Sequence, residues 1–208
     1  MTNSESTSHC KTPYLPPASH AWLPIAVGLL VFAAGFRLLR VIALPDLPNF
    51  SPVMAIAFCG AWFLPGALAL VLPITALLIS DIALGAHYAS LAPGVGDLLR
   101  YACYAAAVFL GWSLRRRQVG GIGFWAGVLG TAVGFYLVTN TTAWLGNPLY
   151  PQSLAGWIQS LTVGLPGYAP TWTFFRNSLA SDLLFSGAMV AAAALVRLKE
   201  KPRMPTTA

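Results

Sequence analysis

The sequence predicts an all-α fold, a polytopic bundle of about six transmembrane helices. Three observations predict it. Of 208 residues, 57% are hydrophobic and only 9% are charged, whereas a soluble domain carries about 25% charged residues. The apolar residues gather into runs separated by Pro and Gly, and most runs approach the roughly 20 residues that cross a hydrocarbon core. The tryptophans fall at run ends, with Trp22, Trp62, Trp112 and Trp125 at one level and Trp144, Trp157 and Trp172 at the other, as in an aromatic belt.

The elements follow in order. Residues 1–20 are a polar, disordered N-terminal tail. It lacks the basic start leading straight into an apolar core that marks a signal peptide. The first run, Trp22–Leu44, carries Arg37 and Arg40 toward its end. A Pro-punctuated loop, Pro45–Pro52, then offers Asn49 or Ser51 as a cap, with Pro52 at the first helical position. The second run, Pro52–Leu64, is short: as a helix it reaches about 20 Å against a core of about 30 Å, so it either spans or re-enters. Pro65-Gly66 ends it. Gly66–Gly85 is the third run, with Ser80 and Asp81 near its end and His87 just beyond. Leu98–Leu114 is the fourth and closes on Arg115-Arg116-Arg117. Gly121–Gly146 is the fifth, and its Gly123/Gly127 and Gly130/Gly134 pairs permit close helix approach. Ser153–Val163 is mildly amphipathic and reads as an interfacial helix. Trp172–Val196 is the sixth. Residues 21–197 thus form the transmembrane domain, and 198–208 form a basic tail.

Six spans place both termini on one side. The Arg115–Arg117 loop and the basic C-terminus then share the cytoplasmic face of an inner (plasma) membrane, as the positive-inside rule requires. Re-entry of 52–64 would instead move Arg37 and Arg40 inside and the N-terminus out. Six spans are preferred, because the two arginines are explained as site residues.

Ionisable groups at membrane depth are expensive and must face the protein interior, a partner or water. The sharpest case is Phe174–Gly187, FFRNSLASDLLFSG, which places Arg176 and Asp182 inside a spanning run. They point roughly 120° apart on a helix, so each needs a partner on another element. Ser178 and Asp182 share a face. Asp81 is expected opposite Arg176 or Arg37. Arg176, Asn177, Asn140, Asp81 and Arg37 gather toward the outer ends of four helices. With Thr141, Trp144 and Tyr150 they form the candidate solute site, Trp144 or Tyr150 acting as lid or stacking surface. Asp182 and Ser178 are read as structural, holding helix register, and Asn49 and Ser51 as caps.

Other chemistries find no support. Cys10, Cys59 and Cys103 and the three histidines lack metal-site spacing, so neither a metal nor a cofactor is expected. Walker, HExxH and GxSxG patterns are missing, and an enzyme is not expected. The basic clusters lack the aromatic interleaving of a nucleic-acid surface.

Several segments resemble a family of uncharacterised bacterial integral membrane proteins. They are Pro48–Ala61, Leu64–Ala67, Leu78–Gly85, Thr139–Trp144 and Phe174–Phe185. That family is in turn similar to the S-components, the substrate-binding subunits of energy-coupling factor (ECF) vitamin transporters. The likeness lies in a Pro-led apolar helix, a Pro-Gly turn and a second helix ending in Asp and Gly. The resemblance implies six helices, a vitamin or metal bound near the outer face, and an energising transmembrane and ATPase partner met through small-residue helix surfaces. Ala57 and Ala61 have that small-residue spacing and are the candidate docking positions. The arginine content suits an anionic ligand. The expected function is therefore uptake of a small, anionic solute from the lipid bilayer's outer side. The competing expectation is a structural or assembly protein whose buried Arg/Asp pairs only fix helix register.

Overall fold

The computed structural model describes residues 22–44, 47–64, 66–88 and 95–200. The polar tail, the residues beyond 200, Pro65 of the expected break, and the side chains of Trp22 and His87 lie outside the described residues. Among the described residues there are seven helices and no strand: α1 Trp22–Ala43, α2 Val53–Phe63, α3 Leu68–Tyr88, α4 Val95–Arg116, α5 Gly121–Gly146, α6 Leu154–Leu161 and α7 Thr171–Glu200. Each apolar run became a helix, and the amphipathic stretch became α6. Because α7 continues through Glu200, the tail expected from 198 begins as helix.

Local chemistry sets the boundaries. Pro52 is the residue before α2 rather than its first helical residue, and no side chain of its own caps the helix. Ser51 Oγ accepts from the Val53 N–H at 3.5 Å, while Asn49 takes a φ of 62° in the turn and does not cap. Asn tolerates that left-handed conformation better than most residues. Past α2 the reversal uses Gly66 at φ 49°, a conformation that favours glycine. At α6, Ser153 accepts from the Gly156 N–H at 3.3 Å, satisfying one orphan donor of the first turn.

The shortest helix is the hub. α2 packs against α1, α3, α4, α5 and α7, and every residue from Val53 to Ala61 is buried. It runs parallel to α4. Met54 shares a cavity with Arg100 and Tyr104, the Phe58 carbonyl lies against Gly111, and Arg115 donates to the Ala61 carbonyl at 3.3 Å. α2 therefore runs alongside α4 in the same direction over about half of its length. Its small residues permit this. A Cβ on Gly111 would come within 2.7 Å of the Phe58 carbonyl oxygen and 2.8 Å of Ala61 Cβ. This overturns the expectation that Ala57 and Ala61 form a docking surface, since both are fully buried and packed within the bundle.

Of the glycine pairs on α5, only Gly127 meets another helix closely: a Cβ there would lie 2.4 Å from Phe58 Cζ. Gly130 and Gly134 face open space. Aromatic rings close one end of the bundle, where Phe124 packs on Phe58, Trp62, Phe63 and Trp125.

Two helices, over Leu68–Gly85 and Gly121–Gly146, are long and apolar enough to cross a membrane by length and composition. Each contributes residues to the core, and the rest of its apolar surface lies outside it. Only 22% of the α5 span is buried, and Ile122, Leu129, Val133 and Leu137 on it are exposed. α1, α4 and α7 have 22, 22 and 30 residues and carry the charged groups described next.

Candidate functional site

The charged side chains of α1, α3 and α4 converge at one end of the bundle. Arg37 donates from Nη1 to Asp81 Oδ1 at 2.5 Å and to Ser80 Oγ at 2.5 Å. Ser80 is oriented for this by donating back to the Ala76 carbonyl at 2.7 Å. The second carboxylate oxygen of Asp81 accepts from Arg100 Nη2 and from the Tyr101 hydroxyl, both at 2.7 Å. Arg100 also reaches Asp97, one helical turn before it, at 2.8 Å. One carboxylate thus bridges two arginines and ties three helices together. Charge-assisted bonds of this kind are the stronger class of hydrogen bond, and the participants are only 14%, 22% and 26% exposed for Arg37, Asp81 and Arg100.

Beside this cluster lies a cavity of about 100 Å³, lined by Arg37, Arg40, Asn49, Ser51, Met54, Arg100, Tyr104, Phe135 and Ser178. Arg37 and Arg40 are three residues apart and so share a helix face. Among the described residues, the guanidinium groups of Arg37, Arg40 and Arg100 all line this cavity, and Asp81 holds those of Arg37 and Arg100. Arginine's planar fork is well matched to carboxylate and oxyanion oxygens.

The loop that lines the cavity is fastened from α7. Asn177, buried, donates from Nδ2 to the Pro48 carbonyl at 3.1 Å, and Ser181 donates to the Ser51 carbonyl at 3.2 Å. Phe50 of the loop packs its ring on Phe36 and Phe185. Asn177 therefore positions the loop and does not itself line the cavity. Arg176 does not pair with Asp81. Its guanidinium lies over the Trp172 ring at 5.3 Å and donates to the Asn177 side-chain oxygen at 3.3 Å. It points away because its direction on α7 differs from that of Asn177 by about 100°.

The remaining expected site residues belong to the junction of α5 with α6. Asn140 donates to the Tyr136 carbonyl of its own helix at 2.8 Å. Thr141 accepts from Trp157 Nε1 at 2.9 Å, holding α6 against α5. Trp144 Nε1 donates to the Pro151 carbonyl at 2.8 Å, and Tyr150 is buried beside that turn. Tyr136 adds a hydrogen bond from its hydroxyl to the Leu161 carbonyl. Together these tie the α5–α6 junction, and none lines the arginine cavity. Of the expected solute-binding residues, only Arg37 lines it directly, with Asp81 fixing its direction. Asn49, Ser51 and Ser178, expected to be structural, do line it.

Arg100 escaped the sequence reading. The apolar run begins at Leu98, but α4 starts at Val95, which places Arg100 more than a turn inside the helix. The Asp97/Arg100 spacing was the available signal, because it marks a salt-bridged first turn.

Asp182 is the outlier. It is 2% exposed, and neither carboxylate oxygen has a hydrogen-bond partner. The Ala55 N–H in the first turn of α2 faces it without reaching hydrogen-bond geometry. The arginine partner that a register-holding role would call for is missing among the described residues. Nor do those residues contain a group of three His, Cys, Asp or Glu side chains that could hold a metal ion.

Fold and site together define a class: an all-helical protein with two membrane-crossing candidates and an arginine-lined cavity at one end of the bundle. The chain belongs to a family of unknown function, DUF6580, whose model matches residues 18–205. No curated protein and no solved structure matches it.

Proposed function

We propose that this is a multi-pass inner-membrane protein with six spans that binds a small anion at its outer end and takes part in moving it inward. The observation that carries this reading is the cavity where Arg37, Arg40 and Arg100 meet. Its volume, about 100 Å³, is below the roughly 300–1,000 Å³ of drug-sized ligand sites. The solute is therefore an oxyanion or a short carboxylate, or the acidic end of a larger molecule such as a vitamin precursor. The resemblance to ECF S-components supports uptake as the purpose and an energising partner as the means. That partner would dock elsewhere than on Ala57 and Ala61.

The topology supports the same reading. Arg37, Asp81 and Arg100 lie at one end of the bundle, and Arg115–Arg117 lie at the end of α4 opposite Arg100. With α2 running parallel to α4 from the cavity side, the six-span arrangement puts the triplet in the cytoplasm and the cavity outside. In a cysteine-free background, Tyr168→Cys is expected to react with a membrane-impermeant thiol reagent applied to intact cells, and Arg117→Cys only after permeabilisation. The opposite pattern inverts the topology and removes the case for uptake.

The binding experiment uses purified protein with sulfate, phosphate, acetate and succinate, read by thermal shift and calorimetry. At least one is expected to bind. Arg40→Gln removes one cavity charge and leaves the Arg37–Asp81–Arg100 bridge in place. It is expected to cost about 2 kcal/mol of binding, near thirtyfold, with the fold retained.

A second reading is favoured by one observation: Asp81 already satisfies two arginines and links three helices, which a purely structural role would also produce. If no anion shifts the unfolding midpoint and Arg40→Gln changes nothing, that structural reading replaces the first.

A further inference from the structure

We infer that Asp182 is a proton-binding site inside the bundle, and that its proton is coupled to occupancy of the arginine cavity. Asp182 has the features of a proton carrier. It is 2% exposed and lacks a hydrogen-bond partner on either oxygen. An uncompensated carboxylate is strongly disfavoured in such surroundings, and more so at membrane depth. A companion positive charge is needed. Among the described residues no arginine or lysine forms an ion pair with Asp182, and a proton neutralises the carboxyl without a companion ion.

α2 presents the Ala55 N–H of its first turn and Cys59, whose thiol bonds Ser186 at 3.3 Å. α4 presents Tyr104, which lies within electrostatic reach of Asp182 and also of Arg37, Arg100 and Asp81. α5 and α6 contribute no charged residue, and the one tyrosine of α5, Tyr136, stacks on Phe175. On α7 itself, Ser178 lines the cavity and Asp182 follows one turn deeper on the same face. Tyr104 and Ser178 thus line the anion cavity, Tyr104 within electrostatic reach of the buried acid and Ser178 one turn from it on α7.

The coupling follows from charge. A negative Asp182 opposes an anion one turn away, and a proton on it removes the opposition. By linkage the anion must then favour the proton equally. The proton is transferred from hydronium in the cavity water: one hydronium O–H bond breaks, one O–H bond forms at a carboxyl oxygen and neutral water is left, and release of the anion makes the reverse transfer easier. No bond within the anion changes. The coupling rests on the anion-binding reading, whereas the proton site itself does not.

The test separates the two. Infrared difference spectra of the purified full-length protein, without added anion, are expected to contain a protonated-carboxyl band that is lost in Asp182→Asn. A band unchanged by the substitution, or absent from the wild type, overturns the proton site. Sulfate is then titrated across pH, chosen because it does not itself titrate near neutrality. Wild-type affinity is expected to fall about tenfold per pH unit once the carboxyl ionises, while Asp182→Asn binds with no such slope. The same slope in both proteins overturns the coupling, as does a requirement for sodium in place of pH dependence. Absence of sulfate binding also overturns the coupling, and leaves the infrared result to stand or fall alone. Asp182→Ser, which matches Ser178 and Ser186 on the same helix, replaces Asp182→Asn if that variant does not fold.

Discussion

Asp81→Ala is expected to destabilise the bundle by about 3 kcal/mol, the low end for breaking a buried ion pair because about a fifth of the carboxylate is exposed. The cause is less the loss of attraction than what remains. Arg37 and Arg100 each lie within 2.7 Å of the same carboxylate, so its removal leaves two guanidinium groups confronting each other. Ser80 and the Leu77 carbonyl still accept from Arg37, but neither carries charge. The measurement is the unfolding midpoint of the purified protein under denaturing detergent. Asp81→Asn keeps the shape and an acceptor oxygen, and is expected to be damaged less. Combining Asp81→Asn with Arg37→Gln is expected to recover part of the loss, since the confrontation is then gone. A loss below about 1 kcal/mol for Asp81→Ala would class the cluster with solvated surface pairs and weaken the picture of a site preorganised by Asp81.

Gly111→Val is expected to be at least as damaging. Adding a single Cβ at Gly111 already places it 2.7 Å from the Phe58 carbonyl oxygen and 2.8 Å from Ala61 Cβ. Overpacking a well-filled core costs about 1–3 kcal/mol and occasionally more. Here the obstruction is backbone in the middle of a fully buried helix, which has no rotamer to escape into. α2 and α4 would have to separate, loosening the hub. Gly111→Ala combined with Ala61→Gly isolates the two contacts: it relieves the Cβ–Cβ clash and leaves the carbonyl clash, so only partial rescue over Gly111→Ala is expected. Full rescue would show that Ala61 alone sets the approach. The same geometry explains why Ala57 and Ala61 do not serve as an external docking face. A small-residue spacing is visible in a sequence, but whether its partner is another protein or the next helix is not.

The site was only half legible for a related reason. Arg37 and Asp81 stood out because charge inside an apolar run is anomalous wherever it occurs, and their pairing was one of two foreseen. Arg176 and Asn140 were equally anomalous and gathered at the same depth, yet they do not reach the cavity. Depth along a helix follows from residue number alone, at about 1.5 Å per residue, but direction turns by about 100° at each step. Small uncertainty in how a helix is rotated therefore exchanges a cavity residue for an outward one. Arg176 rests on Trp172, and Asn140 satisfies itself on its own backbone.

What the sequence determined by itself was the set of helices, their order and the polar level at which chemistry collects. These depend on local matters: the lengths of the apolar runs, the Pro and Gly breaks, and the high free energy of charge in an apolar stretch. Tertiary structure decided which charges meet. The close approach at Gly111 and Gly127 sets how α2, α4 and α5 pack, and the cavity assembles from Arg37 and Arg40 on α1 and Arg100 on α4. The bundle leaves Asp182, one turn below Ser178 on α7, buried and without a hydrogen-bond partner.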